Sequence, residues 1–207
     1  MRSPDDIAAA LTEKILAAPQ QGRRKRVALV GAPASGKSTL AQVLARQLTQ
    51  GGCPTGVVPM DGFHLDNRIL SSLGLLPRKG APETFDAEGL WRLVKALPEA
   101  ERLFYPTFDR EEDLARAGAG LIDGQCNCVI VEGNYLLFDA PIWRELAAQW
   151  DLSIRLDPPL EVLQQRLIQR WLDFGLPPDE ARERAIRNDM KNARLILEQA
   201  LPATITL

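Results

Sequence analysis

The sequence predicts a single three-layer α/β/α domain, with helices on both faces of a mainly parallel sheet. Two observations carry this expectation. Short apolar runs alternate with helical patterns along most of the chain, and parallel strands need such crossover helices, which then cover the sheet. The first strand-to-helix junction is Gly31-Ala32-Pro33-Ala34-Ser35-Gly36-Lys37-Ser38, a phosphate-binding pattern in the place its mechanism requires. With 207 residues, the chain is expected to form one domain, 1–207, large enough to bury a real core.

The elements follow in order. Ser3-Pro4-Asp5-Asp6 is a helix start, with a capping hydroxyl, proline at the first position and acids in the first turn; the helix is expected to run to about Ala18. A linker from Gln20 to Gly22 and a basic run, Arg23 to Arg26, lead into the apolar strand Val27 to Val30. Charge runs usually face water, so the basic run is read as a solvated lead-in. Leu40, Val43, Leu44 and Leu48 have helical spacing over Lys37 to Gln50. Further strands are expected at Gly56 to Met60, Cys128 to Val131 and Leu152 to Leu156, with helices around Glu88 to Leu97, Ile142 to Gln149 and Leu160 to Asp173. One long helix is expected over 179–200 and a last strand over 204–207. The stretch 67–119, richer in proline, glycine and charge, reads as a substrate-side insertion. Trp91, Trp143, Trp150 and Trp171 fall at helical or helix-end positions and are expected in the core.

Composition excludes several classes. The 25 basic and 27 acidic residues nearly balance, which does not suit a nucleic-acid or membrane-surface partner and leaves a small molecule. No apolar run approaches the roughly 20 residues of a membrane span, and the N-terminus does not read as a signal peptide; the expected compartment is the cytoplasm. Cys53, Cys126 and Cys128 are an odd, sparse set, expected as free thiols, with too few ligands near Cys126 and Cys128 for a zinc site. A homodimer is left open.

The phosphate loop carries the strongest chemical signal. Glycine lets the backbone of Gly31, Ala32, Pro33, Ala34, Ser35 and Gly36 wrap closely around phosphate, with N–H groups and the helix N-terminus aimed at its oxygens; Thr39 extends the set. Lys37 is expected to reach the β- and γ-phosphates, and the Ser38 hydroxyl to ligate Mg²⁺. The chain has neither a dinucleotide G-x-G-x-x-G after the strand nor an N-K-x-D tetrapeptide, so ATP is the expected nucleotide.

Two acids follow apolar strands at the end where a doubly wound sheet meets its ligands. Asp61 can accept a proton from an acceptor hydroxyl or simply cap the next turn. Glu132 can hold Mg²⁺, through water and beside Ser38, or act as a loop carboxylate. His64, the only histidine, either binds substrate or packs beneath the loop.

Together, Gly31 to Ser38, Met60-Asp61-Gly62-Phe63-His64 and Val131-Glu132-Gly133-Asn134-Tyr135 make the chain resemble the phosphoribulokinase/uridine kinase family, especially a bacterial branch labelled fructose transport system kinase; it is also similar to pantothenate kinase. The resemblance runs from Arg26 onward through Arg78 to Asp86, Tyr105 to Arg110 and Asn188 to Ala193. It implies that Asp61 is the catalytic base and Glu132 the magnesium-side acid. Arg166 and Arg170, on one helix face, would be lid arginines within about 160–187 that stabilise the transferring phosphate. Arg78, Lys79 and Arg110 join His64 as candidates for binding the acceptor. Uridine kinases carry Asp-Ser-Phe-Tyr where this chain has Asp61-Gly62-Phe63-His64, which turns the comparison away from a nucleoside. The expected reaction is transfer of the γ-phosphate of ATP to a hydroxyl of a small metabolite; the alternative is a nucleotide-binding sensor that lacks an acceptor.

Overall fold

The computed structural model describes residues 3–207. Helix α1 (Pro4–Ala17) is closed at its start by a reciprocal capping box between Ser3 and Asp6. Strand β1 (Lys25–Gly31) then runs through the centre of the sheet, buried at every position. It is followed by α2 (Lys37–Gln50) and β2 (Thr55–Pro59). After a 3-10 turn at Met60–Phe63 come α3 (Asn67–Ser72), α4 (Ala87–Ala96) and a hairpin of β3 (Leu103–Asp109) and β4 (Leu114–Ile122). The chain returns to the sheet as β5 (Cys128–Gly133), α5 (Pro141–Ala147) and β6 (Leu152–Leu156). It ends with α6 (Leu160–Asp173), α7 (Pro178–Arg184), α8 (Met190–Glu198) and the short β7 (Ile205–Thr206).

The five-stranded sheet has the order β2-β5-β1-β6-β7, and each neighbouring pair is parallel. Alternation along the strands separates two cores, as the pleat requires. Val27, Leu29, Cys128 and Ile130 face α1 and α2, while Ala28, Val30, Val129 and Val131 face α4 and α5. The result is the expected three-layer α/β/α arrangement. Within 67–119, α4 packs into the main core through Leu90, Leu93, Val94 and Leu97; the part standing outside is α3 and the antiparallel hairpin.

Three expectations need correction. The basic run is not solvated: Arg24, Lys25 and Arg26 are buried. Arg24 donates to the carbonyls of Leu97, Ala100, Glu101 and Asp123, and Lys25 closes the C-terminus of α1 through the Ile15 and Leu16 carbonyls. Arg26 pairs with the buried Asp151 at 3.1 Å. Buried cations persist when most of their donors are met this way, as here, with Arg24 Nε left unpartnered. The helix expected over 179–200 runs without a gap from Pro178 to Glu198 but contains a π-helical turn at Ala185–Asp189. The β3–β4 hairpin was absent from the expected elements: Leu114–Ile122 is rich in alanine and glycine, which carry little strand signal.

The register fixes where the site must lie. Pro59 is level with Glu132, and Glu132 with Leu29. Asp61, Glu132 and the loop after Gly31 therefore leave the sheet at the same end. Among the described residues, no helix is long and apolar enough to cross a membrane.

Candidate active site

The phosphate loop is held open by its backbone. Ala34 and Gly36 have φ of 63° and 94°, left-handed values that suit the glycine and cost the alanine. Gly31 must remain bare, because a Cβ there would stand 2.5 Å from Ser35 Oγ. That hydroxyl is buried and makes no hydrogen bond in the apo loop; the side-chain oxygen of Asn134, at the rim of the same cleft, is likewise unpartnered. Buried polar atoms without partners are uncommon and point to a ligand, so the cradle fits a nucleotide phosphate. Ser38 Oγ donates to Glu132 Oε1 at 2.9 Å. Hydroxyl and carboxylate oxygens so placed suit Mg²⁺ completed by phosphate and water; no group of three or more His, Cys, Asp or Glu forms a metal cluster among the described residues.

Charges in the cleft are strongly perturbed. Burial pushes the Lys37 ammonium down from its ordinary range, opposed by Glu132 and Asp61. Burial pushes Glu132 up, opposed by Lys37. A ligand of high negative charge relieves the desolvated lysine, which is the behaviour a phosphate site needs.

From this loop a cleft of about 1330 Å³ runs to the other strand ends, lined on one side by Lys37 and Ser38 and on the other by Asp61, His64 and Arg110. That volume lies above the roughly 300–1,000 Å³ of single small-molecule sites. Asp61 is half-buried, and Arg110 donates to its Oδ2 at 3.1 Å. The turn that presents Asp61 needs Gly62, because a Cβ there would run into the Pro106 carbonyl of β3. His64 donates from Nδ1 to the Asp61 carbonyl at 2.8 Å and lies between the rings of Phe85 and Phe108.

The other expected site residues divide. Arg166 reaches back from α6 to donate to the carbonyls of Ala34 and Ser35 at 3.2 and 3.3 Å. Arg170 lies one turn on, over the rings of Trp171 and Phe174. Both line the cleft, as do Pro33 and Thr39, but Arg78 does not: it pairs with Glu83 at 2.6 Å. Lys79 lines the cleft with its ammonium engaged elsewhere, by Asn67 and Asp113.

Several lining residues were not anticipated. Trp171 packs against the smaller core around Ala32, Leu163 and Leu167 and also lines the cleft; Trp143 is buried, and Trp91 and Trp150 pack against the main core. The Trp171 indole donates to Asp189 at 2.6 Å, and Arg184 stacks on its ring at 4.1 Å. Asn188, Asp189 and Asn192 come from the π-helical turn and the start of α8. The span Asn188 to Ala193 was visible as a motif; the π turn that aims it inward was not.

Comparison with known proteins agrees with this architecture. The phosphoribulokinase / uridine kinase family matches residues 27–173. A crystal structure from Silicibacter sp. TM1040, of a protein provisionally named a fructose transport system kinase, is 54% identical, superposes with a TM-score of 0.93 and covers 100% of each chain. The uncharacterized protein YggC of Escherichia coli (strain K12) is 37% identical over 192 residues, which span 88% of this chain and 77% of YggC. A Schizosaccharomyces pombe protein provisionally named uridine kinase C227.14 is 33% identical, over 89% of this chain and 83% of its own length. With the phosphate loop, Glu132 and Asp61 gathered at one end of the sheet, the chain belongs to the phosphoribulokinase / uridine kinase family and is an ATP-dependent P-loop kinase.

Proposed function

We propose that the protein transfers the γ-phosphate of ATP to a hydroxyl of a small metabolite such as a sugar, nucleoside or pantothenate-like alcohol. The observation that carries this reading is the single cleft joining the phosphate loop to Asp61, since a nucleotide sensor needs no carboxylate opposite the γ-phosphate position. The backbone of Gly31 to Ser38, the Lys37 ammonium and Arg166 hold the phosphates. Ser38 and Glu132 would hold Mg²⁺, which when bound supplies positive charge to the phosphate oxygens. Asp61 orients the acceptor hydroxyl and takes its proton as the O–P bond forms; ADP leaves. The transition state is loose, so Asp61 acts chiefly by positioning and accepts the proton late. Arg110 pairs with Asp61 at 3.1 Å and holds its carboxylate in place.

The test has two steps. A screen of sugars, polyols, nucleosides and pantothenate for stimulated ADP release identifies an acceptor. Asp61→Asn is then expected to leave ATP affinity by calorimetry unchanged while lowering kcat by about 10²-fold or more, the usual contribution of a positioned base. Normal turnover in Asp61→Asn overturns the assignment of the base. Tight ATP binding by the wild type, with no hydroxyl compound stimulating ADP release, overturns the transferase reading.

A further inference from the structure

We infer that the acceptor is a polyol whose second hydroxyl, distinct from the one phosphorylated, donates a hydrogen bond to Nε2 of His64. This inference rests on the kinase reading above and names the chemistry of its acceptor pocket.

The polarity of His64 follows from its surroundings. A carbonyl oxygen can only accept, so the 2.8 Å contact to the Asp61 carbonyl puts a proton on Nδ1. Burial disfavours the charged ring. In the neutral ring Nε2 then carries a lone pair and no proton. Nε2 has no hydrogen-bond partner among the described residues, and His64 lines the cleft. Phe85 and Phe108 pack on the imidazole, with centroids 4.0 and 4.7 Å away, and help hold Nδ1 toward the Asp61 carbonyl.

The surrounding charges narrow the ligand further. An ammonium has three donors, and those of Lys79 are met by Asn67 Oδ1 at 2.7 Å, the Asp113 carbonyl at 2.8 Å and Asp113 Oδ2 at 2.8 Å. Lys79 is therefore a strut, with no donor left for a substrate anion. Arg110 is paired with Asp61. Beside His64 the pocket consequently offers acceptors, the Asp61 carboxylate and His64 Nε2, with no free cation from Lys79. A carboxylate, phosphate or ketone at this place would meet lone pairs; a hydroxyl meets two atoms that want its proton. Of the other cations lining the cleft, Lys37 and Arg170 act electrostatically on Asp61 and Arg110, Arg166 is tied to the phosphate loop and Arg184 to the Trp171 ring, and among the described residues none bonds to His64 Nε2.

Because His64 is the only histidine, its state can be read without assignment ambiguity. In ¹⁵N-labelled protein at neutral pH, long-range ¹H–¹⁵N spectra are expected to show a protonated Nδ1 and a bare Nε2, whether or not an acceptor is present. A protonated Nε2 overturns the inference. The kinetic arm takes a polyol found active in the ADP-release screen, together with its monodeoxy derivatives, for example D-ribose with 2-deoxy-D-ribose. In the wild type, one deoxy position besides the phosphorylated one is expected to lower kcat/KM roughly 10- to 100-fold, as for a buried acceptor left unmet. His64→Asn can keep a donor toward the Asp61 carbonyl while removing Nε2, and should reduce that discrimination to within about 3-fold. His64→Gln, which can return an acceptor near Nε2, should restore part of it. Thermal melts check that both variants fold; if His64→Asn does not, the wild-type deoxy series and the spectra still decide. Discrimination equal in wild type and His64→Asn, or no deoxy position that matters, overturns the inference while leaving the kinase intact. Absence of ADP release with every compound overturns the kinase reading itself.

Discussion

Gly62 illustrates how one missing side chain sets the acceptor side of the cleft. Its Cα faces the Pro106 carbonyl so closely that a Cβ would collide with backbone on β3, and neither partner is the flexible end of a side chain that could move aside. Gly133 meets a comparable limit against Met60, whose Cβ lies 2.5 Å from where a Gly133 Cβ would stand, so Asp61 is flanked by two close approaches. Gly62→Ala is expected to push β3 outward, destabilising the fold by on the order of 2 kcal/mol, as overpacking against an unyielding neighbour does. It should also lower kcat/KM for the acceptor more than ATP affinity, because the shift falls on Asp61 and Arg110 and not on the phosphate loop. Denaturant titration and calorimetry with ATP check the two halves separately; a variant as stable and as active as wild type would show that the hairpin yields freely.

Between elements, the lid and the loop are already in contact. Helix α6 places Arg166 on the carbonyls of Ala34 and Ser35, while Arg170, one turn later, rests on aromatic rings with its donors uncommitted to any protein acceptor. The two arginines should therefore behave differently. Arg166→Ala removes a tie to the phosphate loop and should weaken ATP binding along with turnover. Arg170→Ala should lower kcat by about 10²-fold with KM for ATP changed by less than about 3-fold, as for a group engaged only as charge develops. Equal losses in both parameters would place Arg170 in ground-state binding. The i, i+4 spacing of this pair was legible in the sequence because helical periodicity alone puts two such residues on one face. So was the core of the machinery, since strand, glycine-rich turn and helix are contiguous from Val27 to Gln50. What periodicity cannot carry is the identity of a partner distant in sequence. Arg24 and Arg26 looked solvated because the carbonyls of Leu97 to Glu101 and the Asp151 carboxylate that receive them lie far along the chain. Lys79 looked available because Asp113, which with Asn67 saturates it, lies in the turn of a hairpin whose alanine- and glycine-rich second strand gave no strand signal. Asp189 was hidden for a local reason: its direction depends on a π-helical turn that composition does not announce.

Across the whole molecule, His64 is the only side chain whose ordinary pKa lies between pH 5 and 8 among those titrating by type, so it links the acceptor site to the stability of the fold. Burial holds its pKa below the usual 6.5; Asp61, by its carboxylate and its carbonyl, and Asp113 pull the other way, and Lys79 reinforces the depression. Above 6.5 both folded and unfolded chains hold the neutral ring, and His64 adds no pH dependence. As pH falls below that value the unfolded chain takes up a proton that the folded chain refuses. Stability therefore falls as pH falls, until the folded-state pKa is reached and the effect levels off. Carboxylates superimpose their own dependence: burial raises Glu132 and Asp189, while hydrogen bonds from the Glu112 backbone and Arg116 lower Asp109. The informative quantity is thus the difference between wild type and His64→Asn, which lacks the ring. Denaturant titrations from pH 8 to pH 5 should show wild type losing stability relative to His64→Asn as pH falls through the range below 6.5. Over the same range kcat/KM for the acceptor should fall more steeply in the wild type than in His64→Asn, each divided by its value at pH 8, since protonation turns Nε2 from acceptor into donor while the dependence from Glu132 is common to both. A constant stability difference across the range would mean that the imidazole titrates alike in folded and unfolded chains and that its burial beside Phe85 and Phe108 carries no electrostatic penalty.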